Sequence, residues 1–322
     1  MALMHRFLLC VLAITMTASA AVRVEKIDYK GWPNSYRISN GEIELVVTSD
    51  VGPRIIRFAF LGGQNLFKEY PEQLGKSGEP DYQFRGGHRL WVAPETLATS
   101  WAPDNVPVRI AIDGGVLEAT EPVEPSTGLQ KQLVIRMASS GSGVEVLHRV
   151  KNTTPWVIEF APWAMSMMAQ GGTAITGFPP RGKHPEALLP TNPLVLWAYT
   201  DLSDSRWRFT RKYLALRQDP RISEPQKIGG FNPKTWLAYL LGADLFLKQT
   251  SADPARTYPD FGCSFETFTN ADMLEIETLG PIAKVPPGAV VEHLERWSLH
   301  QDVRITAWTD AALDEAVGKL LR

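Results

Sequence analysis

The sequence predicts an all-β fold, an antiparallel β-sandwich followed by a short C-terminal helix. Three observations predict this fold. Apolar and polar residues alternate with period two along most of the chain, as in strands with one buried face. Gly-Gly, Pro and Asp-Gly signals separate these segments. Helical patterns do not alternate regularly with them, which disfavours a parallel α/β sheet.

The predicted strands follow one another in chain order, each with period-two alternation. The segment 235–249 predicts two strands joined through Gly242, Ala243 and Asp244. Residues 171–193 are rich in Gly and Pro and predict a long loop of the kind that often borders a pocket. The other predicted strands are 41–49, 53–60, 106–113, 129–138, 143–152, 272–280 and 290–300.

The last residues, 309–322, are the best candidate for a helix. Thr309 or Asp310 can cap its N-terminus, because a side-chain oxygen there accepts from a free backbone N–H. The apolar residues then recur at helical spacing and form one stripe. They are Ala312, Leu313, Ala316, Val317, Leu320 and Leu321.

Residues 1–20 predict an export signal. Arg6 precedes an apolar run that is too short to span a bilayer, and small residues end it at Ala20. A buried N-terminal strand or a membrane anchor are the alternatives. Cleavage after Ala20 leaves one β domain, 21–308, and the helix 309–322, in the periplasm or outside the cell. No later segment is long and apolar enough to span a membrane.

Composition excludes several classes of function. The net charge of −2 provides no basic field for nucleic acid. Cys10 lies in the apolar run, so Cys263 has no partner for a disulfide in the mature chain. Serine-hydrolase, phosphate-loop and dinucleotide motifs are absent, and no cofactor is expected. Scattered histidines predict no metal site, although His293 and Glu295 share a strand face.

The stretch "RGGHRLWVAPE", residues 85–95, has the composition of a ligand site. It places His88, Arg89, Trp91 and Glu95 next to two glycines. A guanidinium can form paired hydrogen bonds with neighbouring hydroxyls or a carboxylate, and an indole can stack on an apolar sugar face. The mixture predicts a pocket for a polyhydroxylated molecule, and core packing of Trp91 is the alternative.

The C-terminal third carries three acids on neighbouring predicted strands. Glu275 and Glu277 alternate with apolar residues, and Glu266 lies on the preceding strand. Like charges this close need cations or hydroxyls to compensate them. For Glu277 the sequence favours a solvent-facing position. The candidate cations are Arg54, Arg89 and Lys234.

Three stretches together resemble the galactose-mutarotase-like superfamily. They are "GPRIIRFAFLGGQNLF", "GGHRLWVAPE" and "FETF…LEIETLGP…VPPG…HLERWSL". The similarity covers most of residues 25–300 and is greatest to the bacterial group labelled DUF4380. The resemblance implies an antiparallel β-supersandwich with one face that binds a saccharide. Its relatives include aldose 1-epimerases, hexose-phosphate epimerases and polysaccharide lyases.

The resemblance also implies roles for individual residues. Glu266, followed by Thr267, resembles the glutamate that takes the proton of the anomeric hydroxyl. The Gly86–Arg89 segment resembles one that grips the sugar. The stretch in which the acid histidine is expected, 159–172, contains Trp163 and no histidine.

His88 is therefore the proposed substitute for the acid, because an imidazole suits that role near neutral pH. Arg54, Arg89 and Lys234 would hold oxygens, and Trp91 would stack on the ring. Glu95 would orient Arg89 or a hydroxyl.

We thus expect an exported carbohydrate-binding protein that acts like an aldose 1-epimerase at the anomeric carbon. Two alternatives remain open: a non-catalytic glycan-binding protein and a lyase-like enzyme on acidic polysaccharide. The expected ligand is a mono- or oligosaccharide, neutral or acidic. The sequence names neither the sugar nor the oligomeric state.

Overall fold

The computed structural model of the protein describes residues 21–191 and 194–321, and its secondary structure is almost entirely β. A short helix, α1 (Asp310–Ala316), and a 3-10 turn (Gly318–Leu321) end the chain. The strands are β1 (Arg23–Tyr29), β2 (Trp32–Ser39), β3 (Ile43–Thr48), β4 (Arg54–Phe60), β5 (Gly87–Ala93), β6 (Arg109–Asp113), β7 (Val116–Thr120), β8 (Leu129–Met137), β9 (Val144–Asn152), β10 (Ile158–Met168), β11 (Thr173–Gly177), β12 (Val195–Leu196), β13 (Trp207–Phe209), β14 (Tyr213–Arg217), β15 (Gln226–Gly230), β16 (Lys234–Leu241), β17 (Asp244–Ser251), β18 (Phe265–Thr269), β19 (Leu274–Leu279), β20 (Ala283–Val285) and β21 (Val290–His300).

The strands form two antiparallel sheets that pack on either side of one hydrophobic core. The large sheet has eleven strands in the order β1-β2-β3-β4-β5-β10-β19-β18-β15-β12, with β20 paired to β10. The second sheet has ten strands in the order β13-β14-β11-β16-β17-β21-β9-β8-β7-β6. Apolar side chains from both sheets fill the space between them, for example Ile276 from β19 and Leu133 from β8. The predicted all-β sandwich is confirmed.

Strands with one exposed face were predicted well, because their period-two pattern is visible in the sequence. β8 and β9 alternate buried residues with half-buried or exposed ones along their whole length. The predicted turn at 242–244 connects β16 to β17. By contrast, β5 and most of β10 are buried on both faces, so their composition hides the alternation. The segment 171–193, predicted as a loop throughout, begins with strand β11, and its described residues after Gly177 form no further strand.

The C-terminal helix forms as predicted and covers part of the second sheet. Thr309 is the N-cap, and its hydroxyl accepts from the backbone N–H of Ala312 at 3.3 Å. Leu313 and Val317 are fully buried. They pack on the face of the second sheet that points away from the main core, where Ala238 is one of their neighbours.

The large sheet also has a second covered face. In β5, Leu90 belongs to the core between the sheets, whereas Trp91 points to the opposite side. We call this opposite side the outer face of the large sheet. Loop residues that include Tyr82, Trp101 and Trp197 pack over it. None of the helices among the described residues is long and apolar enough to cross a membrane. The predicted export signal, 1–20, lies outside the described residues.

Candidate functional site

Strand register places Arg89 and Glu266 in one row on the outer face of the large sheet. Arg89 on β5 is the Cα partner of Met165 on β10, which in turn pairs with Glu277 on β19. Glu277 pairs with Glu266 on β18. Residues in register on neighbouring strands point to the same side, so residues 177 positions apart along the chain meet on one face.

Five charged side chains form a cluster on this face. Lys227, from β15, places its Nζ 2.7 Å from Glu266 Oε2 and 3.3 Å from Glu277 Oε2. Arg89 Nη2 lies 3.0 Å from Glu275 Oε1. We call these residues the outer-face cluster: Arg89, Lys227, Glu266, Glu275 and Glu277.

Aromatic rings surround both cations of the outer-face cluster. Lys227 Nζ lies 4.8 Å from the ring centroids of both Trp163 and Trp197. The guanidinium carbon of Arg89 lies 4.7 Å from the Trp91 ring. Trp163 also donates its indole N–H to Glu277 Oε2 at 2.8 Å. Charged groups within a wall of indoles are typical of a site that binds a molecule with both polar edges and apolar faces.

Burial sets the electrostatics of the cluster. The pKa of Glu266 is raised well above its ordinary value, first by burial, against the attraction of Lys227, and then by the charge of Glu277. Burial lowers the pKa of Lys227, but the charges of Glu266 and Glu277 outweigh it and raise that pKa overall. Lys227 is therefore an ammonium, and the surplus carboxylates around it favour retention of a proton.

Several buried polar atoms of this region have no hydrogen-bond partner among the described residues. A buried group without a partner costs roughly 1–3 kcal/mol, so such atoms in one place favour a polar ligand. Arg89 supplies donors there, and the carboxylates supply acceptors, which matches hydroxyl groups that both donate and accept. The atoms are Arg89 Nε and Nη1, Tyr82 Oη, Glu266 Oε1 and Glu277 Oε1.

The cluster is covered from solvent by aromatic loop residues. Glu266 is fully buried, whereas Tyr199, in the loop that follows β12, is 42% exposed. The pKa of Tyr199 is raised to about 12, first by burial, with Lys227 opposing and Glu277 contributing. Tyr199 is thus within electrostatic reach of the cluster. A ligand that enters here must displace part of this aromatic cover.

Arg54, Trp91, Glu95 and Lys234 occupy different places. Trp91 lies in the wall of the outer-face cluster. Arg54 faces the same side, but it pairs with Asp104 at 2.6 Å and donates to two loop carbonyls. Glu95 is exposed and accepts from Trp101 Nε1, so it does not orient Arg89. Lys234 belongs to the second sheet and does not meet the cluster.

The glycines of the "RGGHR" stretch serve close packing of the backbone. A Cβ on Gly86 would overlap the carbonyl of Lys68, and one on Gly87 would overlap the carbonyl of Ile55. Both glycines have positive φ, +88° and +73°. The preceding Arg85 is buried and pairs with Glu79 at 2.5 Å. This part of the stretch therefore anchors the neighbouring loop.

The structure separates His88 from Glu266, so the predicted acid–base pair does not meet. His88 is adjacent to Arg89 on β5 and therefore points to the opposite side, into the core between the sheets. There it joins a fully or almost fully buried polar network that connects both sheets. We call it the interior network: His88, His148, Ser166, Lys248, Thr278, His293 and Glu295.

Neutral histidines satisfy the hydrogen bonds of the interior network. His148 Nδ1 lies 2.9 Å from the carbonyl of His293 and must donate to it. Its Nε2 then accepts from His88 Nε2–H at 2.7 Å, and His88 Nδ1 accepts from the Ser166 hydroxyl at 2.9 Å. The pKa of His88 is lowered well below its ordinary value, chiefly by burial. A neutral, fully bonded His88 is a structural residue.

Three residues of the interior network have the identity of metal ligands but not the geometry. Ligand atoms of His88, His148 and Glu295 lie within 4.8 Å of one another. The two Nε2 atoms are only 2.7 Å apart, whereas nitrogens on a tetrahedral zinc are separated by about 3.3 Å. Lys248 Nζ, 2.8 Å from Glu295 Oε1, already neutralises the carboxylate. The arrangement fits a hydrogen-bonded network better than a metal.

Sequence reasoning missed Lys227 and Trp197 and placed Glu277 wrongly. Lys227 is followed by a short Ile-Gly-Gly run that gives no ligand-binding signal. Glu277 was expected to face solvent, yet it is fully buried, because loops cover the outer face of the sheet. Only the register of β15, β18 and β19 brings these residues together.

Solved structures share this fold at low sequence identity. A candidate aldose 1-epimerase from Klebsiella pneumoniae has a TM-score of 0.58 at 12% identity, over 94% of this chain and 88% of that one. A galactose mutarotase related enzyme from Lactobacillus acidophilus has a TM-score of 0.53 at 10% identity, over 83% and 98%. A galactose mutarotase-like protein from Lactobacillus casei has a TM-score of 0.52 at 9% identity, over 83% and 100%.

The fold is that of the galactose-mutarotase-like sandwiches. At these identities the likeness shows the fold alone. No protein-family model matches the chain, and no curated protein matches it. The finer resemblance to the DUF4380 group therefore stays a prediction.

Proposed function

We propose that the protein binds a carbohydrate on the outer face of the large sheet and acts on it like an aldose 1-epimerase. The observation that carries the proposal is the outer-face cluster, with its unpaired donors and acceptors inside a wall of indoles. Sugar hydroxyls match such atoms, and the apolar face of a sugar ring matches Trp163 or Trp197. The names of the solved neighbours support the same class of ligand.

The charge balance of the cluster favours a neutral sugar over an acidic one. Three carboxyl groups stand against two cations, and Arg54 is already paired with Asp104. A uronic acid would bring a carboxylate for which the cluster has no unpaired cation, which is unfavourable in a buried site. A lyase on acidic polysaccharide is accordingly the weakest of the three functions.

A non-catalytic glycan-binding protein is the second candidate. It is favoured by the location of His88, His148 and His293 in the core between the sheets, which leaves none of them to protonate a ring oxygen at the cluster. The proposed export and the cleavage after Ala20 depend on the sequence pattern of residues 1–20.

Exchange spectroscopy by NMR tests the proposal. The protein is added to equilibrated glucose, galactose and a uronic acid, and exchange between anomers is measured against buffer. We expect faster exchange for a neutral aldose, and a rate about 10²–10⁴-fold lower for Glu266→Gln. Arg136→Met, an exposed change on the second sheet, is the matched control and should retain the rate. Binding without faster exchange would select the second candidate, and neither binding nor exchange would overturn both.

A further inference from the structure

Glu266 and Glu277 form a close pair of acids. They are Cα partners on β18 and β19, and both are fully buried. Their Oε2 atoms share one ammonium, that of Lys227, at 2.7 and 3.3 Å. Each has an Oε1 without a hydrogen-bond partner among the described residues. The pair therefore combines mutual proximity with free acceptor positions, which a merely structural ion pair does not require.

The charges around the pair leave one carboxylate uncompensated if all are ionised. Arg89 neutralises Glu275, and Lys227 can neutralise only one of Glu266 and Glu277. The other groups that face Glu266 are Asp260 and the Cys263 thiol, neither of which supplies a positive charge. Tyr199, in the loop after β12, is within electrostatic reach of both carboxyl groups and supplies no positive charge either.

An uncompensated charge costs several kcal/mol in a buried site, so one retained proton is the more stable state. The direction of the Glu266 pKa, raised first by burial, agrees with this charge count.

We propose that Glu266 retains one proton at neutral pH beside Glu277 and that the two carboxyl groups together supply the acid and the base that open a sugar ring. The catalytic part of this inference depends on the proposed function, whereas the retained proton does not. The dyad would replace the pairing of a glutamate with a histidine that the sequence led us to expect. Lys227 holds the two carboxyl groups and stabilises negative charge as it moves between them.

The two carboxyl groups supply and accept every proton that the reaction needs. The ionised carboxylate takes the proton of the anomeric hydroxyl, and O1 becomes a carbonyl oxygen. The bond between C1 and the ring oxygen breaks, and its electron pair goes to the ring oxygen, which takes the proton of the neutral carboxyl. Rotation about the bond between C1 and C2 and closure by the reverse steps yield the other anomer. The two carboxyl groups exchange roles, and no co-reactant is needed.

Two measurements on the same variants test the inference. Infrared difference spectra between pH 5 and 9 report a neutral carboxyl group directly, without any substrate. At pH 7 we expect a larger band in the wild type than in Glu266→Gln or Glu277→Gln, since each variant leaves two carboxylates against two cations. Buried Glu121, whose pKa is raised well above its ordinary value first by burial, contributes equally in all three proteins. The same charge match should let both variants fold. Glu292→Gln, an exposed change on the second sheet, should keep the band.

The second measurement is of enzyme kinetics, with the sugar that responds in the exchange experiment as substrate. We expect kcat/KM to depend on pH as a bell, because the dyad is competent only with one proton. Each single variant should lose one limb of the bell and about 10²–10⁴-fold in rate. An equal band at pH 7 in the wild type and the two variants, or full activity in Glu277→Gln, would overturn the inference. A band that both variants reduce, in a protein that accelerates no sugar, would overturn the proposed function and leave the retained proton standing.

Discussion

Single residues make room for the outer-face cluster. Gly229 on β15 is in register with Glu266, at a position from which a side chain would point into the cluster. A Cβ there would lie 2.5 Å from Cys263 Sγ and 3.1 Å from Glu266 Cγ. The absence of a side chain at residue 229 therefore lets Glu266 reach Lys227. Cys263, which the sequence leaves without a partner, packs beside them as a small buried side chain.

We predict that Gly229→Ala destabilises the protein by about 1–3 kcal/mol, because added volume in a packed site forces its neighbours to shift. Gly229→Ala combined with Cys263→Ala should recover part of this loss, since the second change removes the nearer clash. Unfolding in urea measures both. Gly143→Ala, whose added Cβ would meet only Ala138 at 3.6 Å, is the control and should stay within about 0.5 kcal/mol. An unchanged stability for Gly229→Ala would contradict this packing.

At the scale of elements, β5 and its neighbours carry different chemistry on their two faces. Residue 89 faces the charged cluster, and residue 88 faces the interior network of neutral histidines. The pKa of His293 is lowered to about 3, and those of His88 and His148 are lowered as well, each chiefly by burial. The nearby ion pair of Lys248 and Glu295 bonds to the hydroxyl groups of the network: Lys248 donates to Ser166, and Glu295 accepts from Thr278. The network connects strands of both sheets and has no group left over for catalysis.

The interior network predicts acid sensitivity of the fold. The three histidines stay neutral in the folded state, while in the unfolded chain they bind protons below a pKa of about 6.5. At these three histidines the unfolded state then holds more protons, so their contribution to stability falls as the pH drops from about 6.5 towards the folded pKa values. Each histidine contributes up to about 1.4 kcal/mol per pH unit.

Urea unfolding at pH 8, 7, 6 and 5 measures this slope. His293→Asn should reduce it, and His184→Asn, in an exposed loop, should not. An equal slope in the wild type and in His293→Asn would contradict the neutral network.

At the scale of the whole molecule, sequence patterns predicted the sandwich and part of the site. Strands such as β8, with one half-exposed face, and the helix capped by Thr309 were predictable because local periodicity and capping chemistry define them. Glu266 and Arg89 were singled out by residue type, and register places them on one face. Lys227 and the burial of Glu277 were not predictable, because they depend on which strands become neighbours and on which loops cover them.

The direction of His88 shows the same limit. Its imidazole is a side chain that suits catalysis, but a shift of one residue along a strand reverses the face to which a side chain points. Strand β5 is buried on both sides, so the sequence contains no polar alternation that would reveal the inner face. His88 and Arg89 are neighbours along the chain, and only the structure shows that their side chains lie on opposite faces of the sheet.

The most direct test of the outer-face site is a crystal structure of the protein soaked with the neutral sugar that responds by NMR. We predict hydroxyl oxygens within about 3.2 Å of Glu266, Glu277 and Arg89, with Trp197 displaced or stacked on the ring. A sugar bound instead in the 560 Å³ cavity beside Phe178 and Arg211, above an unchanged cluster, would contradict it.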